Sequence, residues 1–418
     1  MTVIKRNGTE VPYDTNKVSV AIYKAMFEIY GDKADKELAN CYASFITSYI
    51  NHTVKSEKIS VEQIQDIVED VLMGRDKKLA KVYIRYRYKR QMARHTYNEL
   101  MNELKEKVTG KKIVNQNANI DEMSFGGKVG ETSDIVMKKL ALDYFVSPMA
   151  RKNHEENMIY IHDLASFPVG NHNCITIPFD ILLAMGFDTR QTDVRIAQGI
   201  GTALQLIAVI FQVQSLQQFG GVSASHLDWT LVPYVRKSFA KHLRNGFKYV
   251  MKLPECASRV PKEVAFNDPM ACEPCYKEAY DYAMDMTVRE TYQAVEGMFH
   301  NLNTLQSRSG NQLPFTSINF GTCTLPEGRL VIKAILETSI KGIGKLHKTS
   351  IFPCSIFQCM KGVNQKEGDP NYDLFKLALK STSLRLYPNY ANCDWSGNAG
   401  YDKNDPRTYF STINKSVA

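Results

Sequence analysis

The sequence predicts an α/β protein preceded by a small helical unit, and two observations lead there. From Ser133 onward, long helical patterns alternate with short, nearly continuous apolar segments, as in helices packed around a parallel sheet. Before residue 95, by contrast, one hairpin signal is followed only by amphipathic helical stretches. No repeat of fixed period and no low-complexity tract interrupts either part.

In the first part, residues 2–5 read as a short strand, Asn7 and Gly8 as a hairpin turn, and residues 10–13 as the return strand. Asp14 or Thr15 caps a helix over 17–30, where Val18, Ile22, Ala25 and Met26 recur at helical spacing. A second helix is expected over 36–50. Ser60 with Gln63 forms a capping box ahead of a third over 61–73, and a fourth runs from Lys77 to about Arg94. The result is a hairpin carrying a four-helix bundle. The fourth helix is densely basic, with Lys77, Lys78, Lys81, Arg85, Arg87, Lys89, Arg90 and Arg94 interleaved with Tyr83, Tyr86 and Tyr88. It reads either as a solvated face with its tyrosines turned inward or as a phosphate-facing surface. No nucleic-acid recognition motif accompanies it.

Residues 102–120 are polar and read as a linking segment. Beyond them, 134–147 reads as helix and 157–162 as strand. An apolar strand follows over 175–179, then a long buried helix over 194–216, a turn at Gly220 and Gly221, and helices over 229–251 and 277–305. A strand over 312–320, a helix over 327–343 and a strand over 350–357 complete the pattern.

Composition narrows the class. With 44% hydrophobic and 23% charged residues, the chain is neither disordered, collagen-like nor a coiled coil. No apolar run reaches the ~18–20 residues of a membrane helix; the richest, 200–213, is interrupted by Gln205 and Gln212. Residues 1–8 hold no apolar signal core, so a cytoplasmic address is expected. The nine cysteines are scattered and read as reduced thiols. A formal net charge of +8 suits anionic ligands such as nucleotide phosphates.

Reactive types concentrate in Ile161, His162 and Asp163, and in Gly170, Asn171, His172, Asn173 and Cys174. Cys174 follows a turn and precedes an apolar strand, which places its thiol at a strand end facing a cleft. The cluster reads either as a packed structural network, in which buried polar groups satisfy one another, or as a site in which the thiol is metal ligand, nucleophile or redox partner; spacing does not separate these. Cys272 and Cys275 form a lone C-x-x-C with no second pair at zinc-site spacing, so they read as structural thiols and no metal site is expected. The glycine-rich stretch 125–132 lacks phosphate-loop spacing and a preceding strand.

Two sets of motifs resemble known families. Val3, Ile4, Lys5, Arg6, Asn7 and Gly8, then Val11, Asp14, Lys17 and Val18, closing with Tyr83, Ile84, Arg85, Tyr86 and Arg87, resemble an ATP-cone. This is the regulatory nucleotide-binding domain at the front of many ribonucleotide reductases. The remainder resembles the anaerobic, glycyl-radical (class III) ribonucleoside-triphosphate reductases. The residues that carry this are Tyr160 to Leu164, Asn173 with Cys174, Gln217 to Gly221, Leu313 to Phe315 and Asn319 to Thr322. Further along come Gly342 to Gly344, Ile351 to Pro353, Asp369 to Asp373, Arg385 to Pro388 and Trp395 to Asn398. The resemblance runs from about Thr2 to Thr412.

The resemblance implies a fold of an ATP-cone over 1–95, a linker over 96–132, and the N-terminal part of a ten-stranded α/β barrel over 133–418. It implies that Cys174, with Asn173 beside it, faces the substrate from the first barrel strand, and that His162 contributes to the same cleft. In the cone it implies nucleotide contacts by Val3, Lys5, Arg6, Lys17 and Val18, with ATP and dATP as allosteric effectors, and near Lys241 a specificity effector at a homodimer interface. The implied reaction reduces ribonucleoside triphosphates at the ribose 2′-carbon with formate as reductant. Its glycyl radical is installed by an S-adenosylmethionine-dependent activase. In the family a radical cysteine in a Met-Gly-Cys-Arg stretch follows the segment matching 409–412, whereas this sequence reads Ile413, Asn414, Lys415, Ser416, Val417, Ala418. The radical glycine, the four-cysteine zinc site and the later strands are therefore expected outside these residues, and the 418-residue chain is expected to be catalytically incomplete alone. The other readings are a nucleotide-binding regulatory fragment or pseudoenzyme acting with a partner chain, or a basic nucleic-acid-binding protein working through the helix at 77–94.

Overall fold

A computed structural model describes residues 1–6, 8–109, 124–170, 173–218, 220–307, 311–395 and 400–412, the side chains of 93–96 and 98 excepted. The turn residue Asn7, the pair Asn171 and His172, Phe219, the glycine loop at 396–399 and the stretch 413–418 lie outside the described residues. The chain divides into two compact units, Met1–Glu106 and Lys107–Ala418.

The first unit is built on a three-stranded sheet. Strand β1 (Thr2–Ile4) pairs antiparallel with β2 (Glu10–Pro12) and parallel with β3 (Lys58–Ser60), which sets Val3 opposite both Val11 and Ile59. The third strand has no counterpart in the sequence reading, because three residues are too few to show a period. Helix α1 (Thr15–Tyr30) is capped by Asp14, whose carboxylate accepts from the Asn16 N–H at 3.0 Å. Asp35 caps α2 (Lys36–Thr53), and the expected capping box of Ser60 and Gln63 opens α3 (Val61–Arg75). Ile22, Met26, Ile46, Ile50, Val68, Leu72 and Leu79 meet in the core.

Helix α4 (Lys77–Thr109) departs from expectation: it continues fifteen residues beyond Arg94. The stretch after Arg94 is polar, which reads as linker, yet it holds neither Gly nor Pro before Gly110 and carries Glu, Leu and Lys repeatedly. High helix propensity prevails there over the lack of an apolar face. Residues 96–132, read as a linker, thus contain the end of α4 and the start of α5, with 110–123 outside the described residues.

The second unit opens with α5 (Phe125–Leu140), which begins nine residues before the expected Asp134. Ser124 caps it by accepting from the Gly127 N–H at 3.0 Å, so the glycine-rich stretch is a helical first turn. Helix α6 (Pro148–Glu155) follows. The strand expected over 157–162 is absent; these residues turn. Asn157 and Asp163 adopt positive φ, Met158 and Tyr160 are exposed, and the Met158 N–H is already taken by the Asn153 carbonyl at 2.8 Å.

The rest alternates. Strand β4 (Ile175–Thr176) leads to α7 (Phe179–Met185), a hairpin of β5 (Phe187–Asp188) and β6 (Asp193–Val194), and α8 (Ile200–Ser215). Then come β7 (Val222–Ala224), α9 (Leu227–Asn245), α10 (Pro254–Arg259), α11 (Lys277–Thr304), β8 (Thr316–Phe320) and α12 (Pro326–Lys341). Strand β9 (Cys354–Cys359), α13 (Tyr372–Arg385) and β10 (Asn389–Asn392) close the series. The expected strands at 175, 312 and 350 are present in shortened form, while β7, β10 and α13 are elements the pattern reading did not assign.

The main sheet has the order β10-β9-β8-β7-β4, and each of its four pairings is parallel. Neighbours follow chain order with no switch point, which is the winding of a barrel wall rather than of a doubly wound sheet. Helix α11 packs against α8 and α9, and Phe211, Phe239, Phe299, Ile318, Phe320 and Phe357 fill the core on the helical side. The α/β class expected from the sequence is the observed one.

Candidate functional site

Two sites emerge, one in each unit. In the first, β1 and the residues after it, the start of α1, α3 and α4 enclose a cavity of about 190 Å³. Val3, Lys5, Lys17 and Val18, four of the five residues expected to contact nucleotide, line it. Val3 and Val18 are buried and supply an apolar wall, while the exposed Lys5 and Lys17 have no acidic partner among the described residues. Asp14 also lines the cavity, but its carboxylate is engaged at the start of α1. Gln65 and Tyr83 were not foreseen as lining residues. Tyr83 belongs to the closing motif that the sequence shows, whereas Gln65 carries no local signal. Burial pushes the Tyr83 phenol up to about 12, so it stands in the cavity as a neutral hydrogen-bonding group.

Arg6, the fifth expected residue, does not line the cavity. Its guanidinium is paired with Glu62 and donates to Gln65 Oε1 at 3.0 Å. Arg87 on α4 is bound by three carboxylates of α3, Glu62 at 2.7 Å, Asp66 at 2.7 Å and Glu69 at 2.8 Å. Burial opposes the charge of Arg87, but these bonds outweigh it and hold the guanidinium above its ordinary range. Of the α4 tyrosines, Tyr83 packs inward as expected while Tyr88 is exposed.

In the second unit the sheet face away from the helices is polar. Register places Thr176, Ser223 and Ser317 in one row across β4, β7 and β8, and alternation puts Cys174 on the face of Thr176. The Cys174 thiol is half-buried, accepts from the Gly221 N–H at 3.4 Å and lies 3.5 Å from Asn173 Oδ1. Gln218 is buried and donates to the Gly221 carbonyl at 2.9 Å. Gln218 thus fixes Gly221, which in turn holds the Cys174 thiol. His162, expected in the same cleft, is exposed and paired with Asp163, with Tyr160 edge-on at 6.1 Å. None of its contacts among the described residues reaches Cys174.

A segment from far along the chain lies on this polar face. Asn319 Oδ1 accepts from the Thr412 N–H at 3.1 Å, and its Nδ2 donates to Ser223 Oγ, the Ala224 carbonyl and the Thr412 carbonyl at 3.1, 2.9 and 3.1 Å. Gln358 Nε2 donates to the Phe410 carbonyl at 2.9 Å. From Phe410 to Thr412 the segment thus descends the sheet toward the strand ends where Cys174 sits. The loop after β8 is fixed by Asp228, whose Oδ2 accepts from the Gly321, Thr322 and Cys323 N–H groups at 2.9, 3.0 and 2.9 Å. Asn319 is fully buried, and its removal leaves several buried groups unpaired. Asn319→Ala is expected to cost about 2–4 kcal/mol in urea unfolding and to speed hydrogen exchange at Thr412. A loss below about 1 kcal/mol, the ordinary value of a single bond, would show that the network does not hold the segment.

The comparisons with known proteins fall on the same residues. The sequence model of the anaerobic ribonucleoside-triphosphate reductases matches residues 116–410. The chain belongs to that family. The ATP cone domain model matches residues 1–92, so the first unit of the chain is an ATP cone. The anaerobic ribonucleoside-triphosphate reductase of Haemophilus influenzae is 31% identical over 405 residues, 94% of this chain and 52% of that protein. The Escherichia coli protein of the same name is 30% identical over 399 residues, 94% of this chain and 51% of that protein. The chain spans about half the length of the curated relatives it matches. A crystal structure of the anaerobic ribonucleotide reductase from Thermotoga maritima in complex with dATP and CTP aligns with 72% of this chain and 50% of that one, at 12% identity and a TM-score of 0.44.

Within the second unit, Lys241 on α9 is engaged: its ammonium lies 2.9 and 2.8 Å from the two carboxylate oxygens of Glu290 on α11. His242 Nε2 reaches Glu290 Oε2 at 2.6 Å. Burial pushes the Glu290 carboxyl up, but the bonds to His242 and Lys241 outweigh it and hold the group at about 2. A carboxyl lowered on folding stabilises above its unfolded value and loses that contribution as pH falls toward the folded value. Chain stability is therefore expected to drop between about pH 4.5 and pH 2 by up to about 2 kcal/mol more than in Glu290→Gln, after allowing for solvent screening. Parallel pH profiles of the two proteins in urea unfolding would contradict the assignment.

Among the described residues no group of three or more His, Cys, Asp or Glu is arranged to hold a metal, and no helix is long and apolar enough to cross a membrane. Cys272 and Cys275 are exposed, their thiols directed to the Phe266 carbonyl at 3.3 Å and Glu273 Oε2 at 3.5 Å. Elemental analysis of the purified chain is expected to show no stoichiometric zinc. One zinc per chain, lost on Cys272→Ser, would overturn that.

Proposed function

We propose that the chain acts in the anaerobic reduction of ribonucleoside triphosphates to deoxyribonucleoside triphosphates for DNA synthesis, controlled by ATP and dATP in the cone. Residues 1–95 serve as the regulatory unit and 133–418 as part of the reductase, in a cytoplasmic setting. Val3 and Val18 pack against the nucleotide, and Lys5, Lys17 and Arg6 take its phosphates through charge-assisted bonds. Cys174 and Asn173 face the ribose, with His162 contributing from the same side, and Lys241 lies near a second effector site at a dimer interface. Formate supplies the reducing electrons and leaves as carbon dioxide while the ribose 2′-hydroxyl leaves as water. A glycyl radical raised by an S-adenosylmethionine-dependent activase supplies the radical chemistry.

The observation that carries this reading is the Cys174 thiol, set beside Asn173 on the polar face of a parallel sheet whose Asn319 and Gln358 bind the segment 410–412. A ribonucleoside triphosphate bound there shields that thiol. In the 418-residue chain, millimolar CTP is expected to slow alkylation of Cys174 several-fold relative to Cys272. ATP-cone occupancy by dATP alone is expected to leave the Cys174 rate unchanged. Equal Cys174 rates with and without each ribonucleoside triphosphate would contradict the substrate reading.

A further inference from the structure

The arginine beside the cone cavity is held by an acid. Glu62, Asp66 and Glu69 recur on one face of α3, and Arg87 bonds all three. Arg6 reaches only Glu62 of that set, together with Gln65, which itself lines the cavity. Glu62 therefore carries two guanidiniums, one from the hairpin and one from α4. Lys5 and Lys17 stand at the cavity without acidic partners among the described residues. A polyphosphate drawn to them arrives next to an arginine that is already engaged. Guanidinium donates charge-assisted bonds to phosphate and to carboxylate oxygens alike, so the two compete for it. Release of Arg6 does not strand Glu62, because Arg87 remains on its second oxygen at 2.7 Å.

We propose that Glu62 is an internal competitor for Arg6: nucleotide phosphates displace its carboxylate from that guanidinium, and Glu62 thereby sets the nucleotide concentration at which the cone fills. The inference rests on the reading of the cavity as a nucleotide site. Its size follows from exposure. Both partners are open to solvent, at 39% and 47% of their side-chain surface, and exposed pairs are weak, so the competition amounts to about two- to fivefold in affinity. Asp66 provides the control, since it lies one turn along the same helix and touches Arg87 but not Arg6.

Calorimetric titration of ATP into the full chain tests this. Glu62→Gln is expected to tighten ATP binding by about two- to fivefold, Asp66→Asn by clearly less, and adenosine, which lacks phosphates, is expected to bind all three proteins alike. In an Arg6→Ala background the gain from Glu62→Gln is expected to shrink to that of Asp66→Asn. Melting temperatures of the variants confirm that each remains folded, since Asp66 and Glu69 still hold Arg87 when Glu62 is neutral. ATP binding with no gain in Glu62→Gln over Asp66→Asn, or a gain that survives intact without Arg6, overturns the competition alone. Failure of the unsubstituted chain to bind ATP overturns the cavity reading and the competition with it.

Discussion

Lys5→Ala and Lys17→Ala are each expected to weaken ATP and dATP binding by about 1.5–3 kcal/mol, tenfold to more than a hundredfold. The two lysines line the cone cavity with exposed ammonium groups and no acidic partner among the described residues, so their charge is free for phosphate oxygens. Neither contributes to the buried core of the unit, so the melting temperature is expected to stay close to that of the unsubstituted chain. Arg6→Ala is expected to cost less than either, because part of what Arg6 offers phosphate is already spent on Glu62. Unchanged calorimetric affinity in both lysine variants would remove the nucleotide role and leave a structural bundle.

The second large effect is expected at Gly220. A Cβ there falls 1.2 Å from the Asn173 carbonyl oxygen and 2.1 Å from its carbonyl carbon, backbone atoms that have nowhere to retreat without moving the Asn173–Cys174 peptide. Gly220→Ala is expected to destabilise the second unit by at least about 3 kcal/mol and to change the Cys174 alkylation rate several-fold. Gly297 is the control. It lies within α11 with nothing inside 4 Å of its Cβ position, so Gly297→Ala removes backbone freedom at no steric cost and is expected to be neutral or to stabilise by up to about 1 kcal/mol. Equal stability of the two variants would mean that the close approach at Gly220 is not what sets the Cys174 loop.

The elements that sequence reading found are those whose burial writes a period into the chain. Val18, Ile22, Ala25 and Met26 on α1 and the capping box before α3 are local patterns with local causes, and the structure reproduces both. What escaped depends on partners distant in sequence. Strand β3 exists because β1 lies beside it, and its three residues carry no period of their own. The turn at 157–162 looked like a strand because Met158, Ile159 and Tyr160 are apolar, yet these side chains are largely exposed. Among site residues, Cys174 and Asn173 were legible as a motif, and the structure adds that Gly220 and Gly221 hold them. The pairing of Arg6 with Glu62, 56 positions apart, and of Asn319 with Thr412, 93 apart, had no sequence signal. Polar pairs of this kind are set by the fold and are silent in any single segment.

On the reading proposed above, a nucleotide occupies the cavity between the hairpin, α1, α3 and α4. It is tested by hydrogen exchange of the 418-residue chain, read by mass spectrometry with and without dATP. Slower exchange is expected in β1 and in the first turns of α1 and α3, around Val3, Lys5, Lys17, Val18 and Gln65, with the sheet around Val222 and Ile318 unchanged by cone occupancy. Protection confined to the sheet of the second unit, with the hairpin and α1 exchanging at the same rate as without dATP, would contradict nucleotide binding in the cone.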